Sequence, residues 1–360
     1  MRKVLYLAVI SLLAFSCKPD GDSTSGAERL NVEAFLLNAA DNLIIPAYQQ
    51  VDNDVQDLVT AVNTFTADLS EANLIALRTS WQTAMLSWQA AAPYNFGPAE
   101  DNSFRTILED IATFPINSTK VEQYIAAGDT SMNNFDRDSR GFSSLDYLLN
   151  KGTNADVIAS YDDNRKAYLR SVVRDISSRI SHVKTTWETS YRDQFVSNTA
   201  TSAGSSISFY YNEFVKSFEF IKKYKLALPA GQQIGQSTPD PTLLEVYYDD
   251  DFALELLKKH LTVVENIWYS RTESGNDGIG LDDLCLSQDG GQALHDNTVT
   301  SMAQVWQSVN ALTNLKSDIE NNLPLVVTSV EMFQRHTRYY KSDLSILLGI
   351  SITFSDGDGD

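Results

Sequence analysis

Cysteine and histidine are scarce in this chain. Its 360 residues include 2 cysteines, Cys17 and Cys285, and 4 histidines. So few thiols and imidazoles leave little for a thiolate zinc site or a disulfide framework. No two histidines lie three or four residues apart, and none belongs to a His-Glu-x-x-His sequence. A Gly-x-Ser-x-Gly nucleophile turn and a phosphate-binding loop are also missing, so the sequence offers no ready-made zinc, serine-hydrolase or nucleotide site.

Positive charge is also in short supply. The chain has 28 Lys and Arg against 47 Asp and Glu, which gives a formal net charge of −19 and a pI near 4.5. Nucleic acid is disfavoured as a partner, because phosphate backbones need clustered Lys and Arg. Unaided adhesion to anionic lipid is disfavoured for the same reason. The hydrophobic fraction of 43% and the charged fraction of 21% are ordinary for a globular protein, and the length suggests about two domains.

The apolar run near the N-terminus is too short to span a bilayer. A basic head, Met1-Arg2-Lys3, precedes residues 4–15, which are almost all apolar, whereas a membrane helix needs about 20 apolar residues. Residues 1–16 are therefore predicted to be a signal peptide. Residues 13–17, Leu-Ala-Phe-Ser-Cys, resemble a bacterial lipobox. The resemblance implies that Cys17 is acylated and becomes the new N-terminus; the alternative is a plain secretory signal with a chance cysteine.

Residues 17–30 are predicted to be a flexible tether, because they are rich in Asp, Ser, Gly and Pro and poor in apolar residues. The predicted location is the cell envelope, with the chain anchored to the outer membrane and facing either the periplasm or the outside. The lipid membrane is then a partner through acylated Cys17, since several acyl chains on one residue anchor stably. Cys285 would be the single free thiol, which leaves no intramolecular disulfide.

Strand signals are nearly absent. Beyond the tether, apolar residues recur every three or four positions, as in helices that bury one face. One such stripe runs from Ile158 to Trp187, about eight turns. One short alternating segment, residues 350–354, lacks a partner strand. The predicted fold class is all-α, with packed antiparallel helical bundles over residues 31–150 and 151–360.

Six loop and helix-end segments carry a recognisable pattern. They are, in chain order, WQAAAPYNFGPAE at 88–100, residues 111–125 with Phe114-Pro115, RGFSSLDYLL at 140–149, KLALPAG at 225–231, Glu245 to Tyr248, and LGISITFSDGDGD at 348–360. Together they resemble the imelysin-like family of bacterial envelope proteins. The resemblance covers about residues 31–360 and implies two helical bundles packed side by side. The family is named after an insulin-cleaving metalloprotease, and many members are associated with iron uptake or act as envelope binding proteins.

The motif that carries chemistry in the resembled family is altered here. The family places His and Glu at the third and sixth positions of GxHxxE, on one helical face where they could share a metal. In this chain Gly141 matches, but the two positions are Ser143 and Asp146. A serine hydroxyl is a poor ligand for a transition metal. The favoured interpretation is therefore a capping box, in which Ser143 caps the amide of residue 146 and Asp146 suits the positive helix end.

A second group of candidates flanks the Phe-Gly-Pro turn. If a ligand pocket exists between the bundles, its predicted residues, beside Asp146, are Trp88, Glu100, Asp101, Arg105 and Asp110. The competing interpretation for Trp88 is that it belongs to the bundle core.

Oxygen ligands for a hard cation such as calcium or ferric iron are plentiful. Acidic clusters lie at residues 249–251, 276–283 and 356–360, although solvated turns, helix ends and a solvated tail explain them as well. The sequence leaves open whether any metal is bound.

The missing histidine argues against catalysis. We therefore predict an imelysin-like envelope lipoprotein that acts as a non-catalytic binding component in iron or other nutrient acquisition. Its candidate partners are a metal ion and an outer-membrane transport protein. Two alternatives stay open: a metallopeptidase of the imelysin type, and an envelope scaffold that binds a protein or a glycan.

Overall fold

The computed structural model describes residues 32–100, 106–132 and 135–354. The all-α prediction is confirmed, because extended backbone within these ranges pairs only in isolated bridges such as Glu100 with Thr106. The predicted signal peptide, the tether and Cys17 lie outside the described residues. The α-helices are α1 (Val32–Asn38), α2 (Ile45–Ala67), α3 (Glu71–Ala91), α4 (Ile107–Ile111), α5 (Ser118–Ala127), α6 (Phe142–Asn150), α7 (Asn154–Ala159), α8 (Asp163–Thr186), α9 (Arg192–Ser197), α10 (Ser206–Phe220), α11 (Asp250–Tyr269), α12 (Leu281–Leu286), α13 (Gly291–Asn310), α14 (Leu315–Asn321), α15 (Leu323–Arg338) and α16 (Ser345–Leu348).

Several helices continue into π-helical turns. These turns are Ala39–Ile44, Trp187–Tyr191, Ile221–Ala227 and Tyr339–Leu344. A π-helical turn is wider than an α-helical turn, which changes the set of side chains that face the interior. The turn Ile221–Ala227, which extends α10, contains Lys222 and Lys225, and both side chains are buried.

The apolar stripe predicted to run unbroken from Ile158 to Trp187 is interrupted. Helix α7 ends at Ala159 and α8 begins at Asp163. Asp162 leaves the helical conformation between them, and its carboxylate accepts a hydrogen bond of 2.9 Å from the backbone N–H of Arg165. Such a cap satisfies an amide that the start of a helix leaves unpaired. The prediction of one continuous helix was therefore wrong at residues 160–162.

Two groups of helices build the interior. Helix α2 packs along both α3 and α8, with α5 and α6 beside them, and α10, α11, α13 and α15 form the second group. Helix α3 contacts α11 across the two groups, and one continuous apolar core runs through both. The division predicted between residues 150 and 151 stays a prediction; α8, which follows it in the chain, packs along α2, which precedes it.

The alternating segment near the C-terminus, residues 350–354, forms hydrogen bonds with a side chain, and a partner strand is not among the described residues. The side-chain amide of Asn212 donates to the carbonyl of Ser351 (3.1 Å), and its oxygen accepts from the backbone N–H of Thr353 (2.8 Å). This exchange holds the last described residues against α10. Within the described ranges, none of the helices combines the length and the hydropathy that crossing a membrane requires.

His336 is a buried polar ring in aromatic surroundings. Its side chain is 0% exposed, and its ring centroid lies 5.0 Å from that of Phe218 and 4.4 Å from that of Tyr340. Neither ring nitrogen has a hydrogen-bond partner among the described residues. Burial lowers the pKa of His336 to about 3. The ring is therefore neutral at neutral pH, and its unpaired nitrogens cost folding free energy.

We expect His336→Phe to raise the free energy of unfolding by about 1–2 kcal/mol at pH 7.5, because unpaired buried nitrogens are removed. An unfolded histidine takes up a proton below about pH 6.5, whereas the folded ring stays neutral down to about pH 3. The wild type therefore loses stability as the pH falls between these values, and the variant lacks this loss. Urea denaturation at pH 7.5 measures the gain in unfolding free energy, and the same experiment at pH 5.5 measures the loss caused by protonation of the unfolded histidine. The control is His182→Phe, at an exposed position. An equal loss for His336→Phe and wild type at pH 5.5 would contradict this expectation.

Candidate functional site

Gly141 fixes the start of α6. Its φ of +79° lies in the left-handed region, and a Cβ added there would collide with the backbone of Ile111. Glycine tolerates both the conformation and the close approach. The start of α6 therefore lies against the end of α4. The side chains of α6 from Phe142 to Leu149 are all buried.

Asp146 lies in α6, is 3% exposed and binds the chain segment that precedes α11. Its Oδ2 accepts hydrogen bonds from the backbone N–H groups of Tyr247 and Tyr248, each at 2.8 Å. Its Oδ1 accepts from the N–H of Asp249 (3.0 Å) and from the side-chain amide of Asn150 (3.1 Å). Three successive amides thus form an anion-binding nest, which the carboxylate fills. Burial raises the pKa of Asp146 to about 6, and the four hydrogen bonds act in the opposite direction.

Ser143 does not cap the helix. Gly141 is the N-cap of α6, and no side chain of the described residues accepts a capping hydrogen bond at this helix start. The predicted capping box was therefore wrong, because Ser143 lies inside the first turn and not before it. The hydroxyl of Ser144 donates to the carbonyl of Gly141 instead (2.8 Å). The Ser143 hydroxyl is buried and has no hydrogen-bond partner among the described residues.

A buried ion pair includes Glu245, which precedes the nest residues 247–249 by two positions in the sequence. Lys225, in the π-helical turn Ile221–Ala227, donates to Glu245 (2.8 Å) and to the side-chain oxygen of Gln89 (2.7 Å). The Gln89 amide in turn lies 3.3 Å from Glu245. Burial lowers the pKa of Lys225, and the neighbouring carboxylate of Glu245 counteracts this effect. These three side chains join α3, the end of α10 and the segment before α11.

A cavity of about 380 Å³, which we call the α6 cavity, opens beside Asp146. Ser143 and Asp146 line it from one side, and the segment from Thr242 to Tyr248, with Glu245, lines it from the other. Its size lies within the range of small-molecule sites. Both carboxylates in its wall are already paired, so its remaining hydrogen-bonding groups are neutral, such as the hydroxyls of Ser143 and the two tyrosines. This chemistry suits a small polar ligand held by hydrogen bonds.

A metal at the altered motif does not fit these contacts. Each oxygen of Asp146 already accepts two hydrogen bonds, which is the capacity of a carboxylate. Ser143 supplies a hydroxyl where the resembled family has an imidazole. Within the described ranges, no group of three or more His, Cys, Asp or Glu is placed to hold a metal ion.

The second group of predicted site residues is not assembled around the α6 cavity. Trp88 is 1% exposed and stacks on Phe142 with the ring centroids 6.3 Å apart, so its contacts are those of a core residue. Glu100 is exposed at the end of a 3₁₀ turn. Asp101 and Arg105 lie outside the described residues.

Asp110 is held in a buried cluster with arginines. It is 3% exposed, and its two oxygens lie 2.8 Å from Arg140 and 2.5 Å from Arg179. Arg140, itself 2% exposed, also donates to the carbonyl of Met132. The carboxylate thus holds α4 against α8 and the loop before α6, which is a structural use of its charge.

In two of the acidic clusters, carboxylates that sequence reasoning considered as cation ligands have basic partners on the protein. Asp250 lies 3.7 Å from Lys316, and Asp277 lies 3.0 Å from Arg271. The third cluster, residues 356–360, lies outside the described residues.

Ser217 and His260 form a pair that sequence reasoning missed. The serine Oγ lies 2.7 Å from the histidine Nε2, and both side chains are buried. Burial and the nearby positive charge of Lys225 hold the pKa of His260 well below its usual value. Its imidazole is therefore a poor proton acceptor, and its Nδ1 has no partner among the described residues to orient it. The pair is a buried hydrogen bond and lacks the properties of a nucleophile with its base.

In the sequence, Lys225 and Glu245 stand out only as members of two segments that resemble the imelysin-like family. One signal could have singled out their ion pair: Lys225 directly precedes the apolar stretch Leu226-Ala227-Leu228, and a lysine that is buried needs a carboxylate as its partner. The choice of Glu245 and Gln89 as its partners depends on helix packing and has no sequence signal.

The chain is similar to known proteins over most of its length. The sequence profile described as imelysin matches residues 44–326, more than half of the chain. Among curated proteins, iron-regulated protein A of Synechococcus elongatus is 22% identical over 239 residues, which is 65% of this chain. The match spans 64% of the length of that relative.

Two solved structures share the fold. An iron-regulated protein A precursor from Parabacteroides distasonis has a TM-score of 0.72 and 17% sequence identity, covering 88% of this chain and 95% of its own. An imelysin-like protein from Psychrobacter arcticum has a TM-score of 0.73 and 18% identity, covering 91% and 98%. At these identities the likeness shows the helical fold.

Proposed function

The chain belongs to the imelysin family, and from this premise we propose that it is a non-catalytic binding component in iron or other nutrient acquisition at the cell envelope. One observation carries the proposal. The carboxylate at the last position of the altered motif fills a nest of backbone amides, so it cannot bind a cation without releasing the start of α11. The α6 cavity beside it offers neutral hydrogen-bonding groups. This combination supports recognition of a small polar molecule over metal-dependent peptide cleavage.

The link to iron rests on the relatives named iron-regulated protein A. We expect the abundance of this chain in its own bacterium to rise several-fold under iron limitation, because a component of iron acquisition is needed most when iron is scarce. Quantitative mass spectrometry of iron-limited and iron-replete cultures measures this, with phosphate limitation as the control. A level that does not change with iron would remove the iron assignment and leave the binding role intact.

The non-catalytic role is tested with insulin as substrate and with zinc or ferric iron as the metal. We expect the purified protein to leave insulin intact and to retain no stoichiometric metal after dialysis. The comparison variant is Asp146→Asn, which removes the carboxylate from the motif. Cleavage that is blocked by a chelator and lost in Asp146→Asn would establish the alternative, a metallopeptidase.

The anchor at Cys17 is part of the same proposal. An alkyne analogue of palmitate is expected to label the wild-type chain in cells, and Cys17→Ser is expected to abolish the label and move the protein from the membrane fraction to the soluble fraction. Cys285→Ser is the matched control and should keep both properties. A Cys17→Ser chain that stays labelled would argue against lipid attachment at this position.

A further inference from the structure

A second cavity, of about 570 Å³, lies between α2, α3 and α11; we call it the α2–α3–α11 cavity. It shares no lining residue with the α6 cavity. Its volume falls in the range of small-molecule sites. Its apolar lining comes from all three sides: Leu43, Ala47, Leu86, Ala90, Val263 and Ile267.

Uncharged polar side chains also line this cavity, among them Ser87, Asn266 and Tyr94. Tyr94 lines the cavity and is 4% exposed. Its backbone carbonyl accepts a hydrogen bond from Tyr48 (3.1 Å), and its ring stacks on Tyr210 at 6.0 Å, so the side chain is held in place. Its hydroxyl makes no hydrogen bond with the described residues. A buried hydroxyl without a partner costs free energy that an oxygen-bearing ligand would recover.

The charge around the cavity disfavours an anion. The lining contains two basic side chains, Lys259 and Arg271, and three acidic ones, Asp41, Asp54 and Glu273. Both basic groups are already paired, Lys259 with Glu273 at 2.5 Å and Arg271 with an aspartate as described above. An anionic ligand would therefore meet no free cation among the described lining residues, in a chain whose formal net charge is −19.

From this combination we propose that the α2–α3–α11 cavity binds an uncharged amphipathic small molecule. The apolar body of the ligand lies on the aliphatic lining, and one hydroxyl or carbonyl oxygen of the ligand forms a hydrogen bond with Tyr94. This site goes beyond the function proposed above, because it is separate from the altered motif and needs no metal.

The uncharged dye N-phenyl-1-naphthylamine, which fluoresces in apolar surroundings, is the first probe. We expect saturable binding by the full chain and at least a tenfold loss of affinity in Ala90→Phe, whose ring fills the cavity from α3. Ala76→Phe is the matched control, because it makes the same change at an exposed position of the same helix. Ala47→Phe fills the cavity from α2 and serves as an independent second variant. Unchanged affinity in both filled variants would overturn the site.

The polar and charge terms have their own tests. 2-Naphthol should displace the dye about fivefold more tightly than naphthalene does, since a net hydrogen bond contributes about 1 kcal/mol. Tyr94→Phe should reduce this preference to less than twofold. The sulfonate dye 1-anilinonaphthalene-8-sulfonate should bind at least fivefold more weakly than its uncharged analogue. A preference for 2-naphthol that survives Tyr94→Phe, or equal binding of the sulfonate, would overturn the proposed ligand class.

Discussion

Asp146→Ala is expected to lower the free energy of unfolding by about 3–5 kcal/mol, one of the two largest effects we foresee in this chain. The variant leaves three successive backbone amides, those of residues 247–249, without their acceptor. It also opens a void next to α6, whose first eight residues are buried. The negative charge itself contributes little to stability, because burial raises the pKa of Asp146 to about 6. A raised pKa means that the folded protein stabilises the ionised carboxylate less than water does. Urea denaturation followed by tryptophan fluorescence measures the change.

Two variants separate the nest from other causes. Asp146→Asn keeps one acceptor oxygen and should lose less stability than Asp146→Ala. Ser143→Ala, one turn earlier in α6, should be neutral or slightly stabilising, because its buried hydroxyl has no hydrogen-bond partner within the described part of the chain. Hydrogen exchange should show lost protection at the amides of residues 247–249 in the Asp146 variants only. Equal stability of Asp146→Ala and Ser143→Ala would show that the nest contributes nothing.

The fold was predictable because the apolar spacing is regular over long stretches. Val55, Leu58, Val62 and Phe65 step by three and four in the sequence, and all four are buried along α2. The prediction failed at the break between α7 and α8, where Ile158, Tyr161 and Arg165 continue the same spacing across a non-helical gap. Spacing reports which face is buried, and two successive helices can present the same face without being continuous.

The candidate site was only partly predictable, because its contacts join distant parts of the chain. The altered motif directed attention to Gly141, Ser143 and Asp146. Asp146, however, binds backbone amides about one hundred positions later, and amides carry no side-chain signal. The α2–α3–α11 cavity, lined by Tyr94 and by two alanines, likewise becomes visible only when α2, α3 and α11 are packed.

The second large effect concerns the buried ion pair of Lys225 and Glu245. Lys225→Met and Glu245→Leu are each expected to cost about 3–5 kcal/mol of unfolding free energy, because each leaves the opposite charge buried without its partner. Lys259→Met is the matched control. It breaks an ion pair with Glu273 whose side chains are 28% and 60% exposed, so it should cost less than about 1 kcal/mol.

The double variant of Lys225 and Glu245 decides how the pair contributes. Two apolar side chains of similar volume need no desolvation of charge, so the double variant should be more stable than either single variant, by at least about 2 kcal/mol. Gln89 would then lose its bond to Lys225, at 2.7 Å in the wild type, which keeps the recovery incomplete. Such a result would mean that the ion pair determines the packing of the end of α10 against the segment before α11. It would also mean that the pair adds little to the net free energy of unfolding. Additive losses in the double variant would instead show that each side chain acts through its own contacts and that the two charges are not coupled.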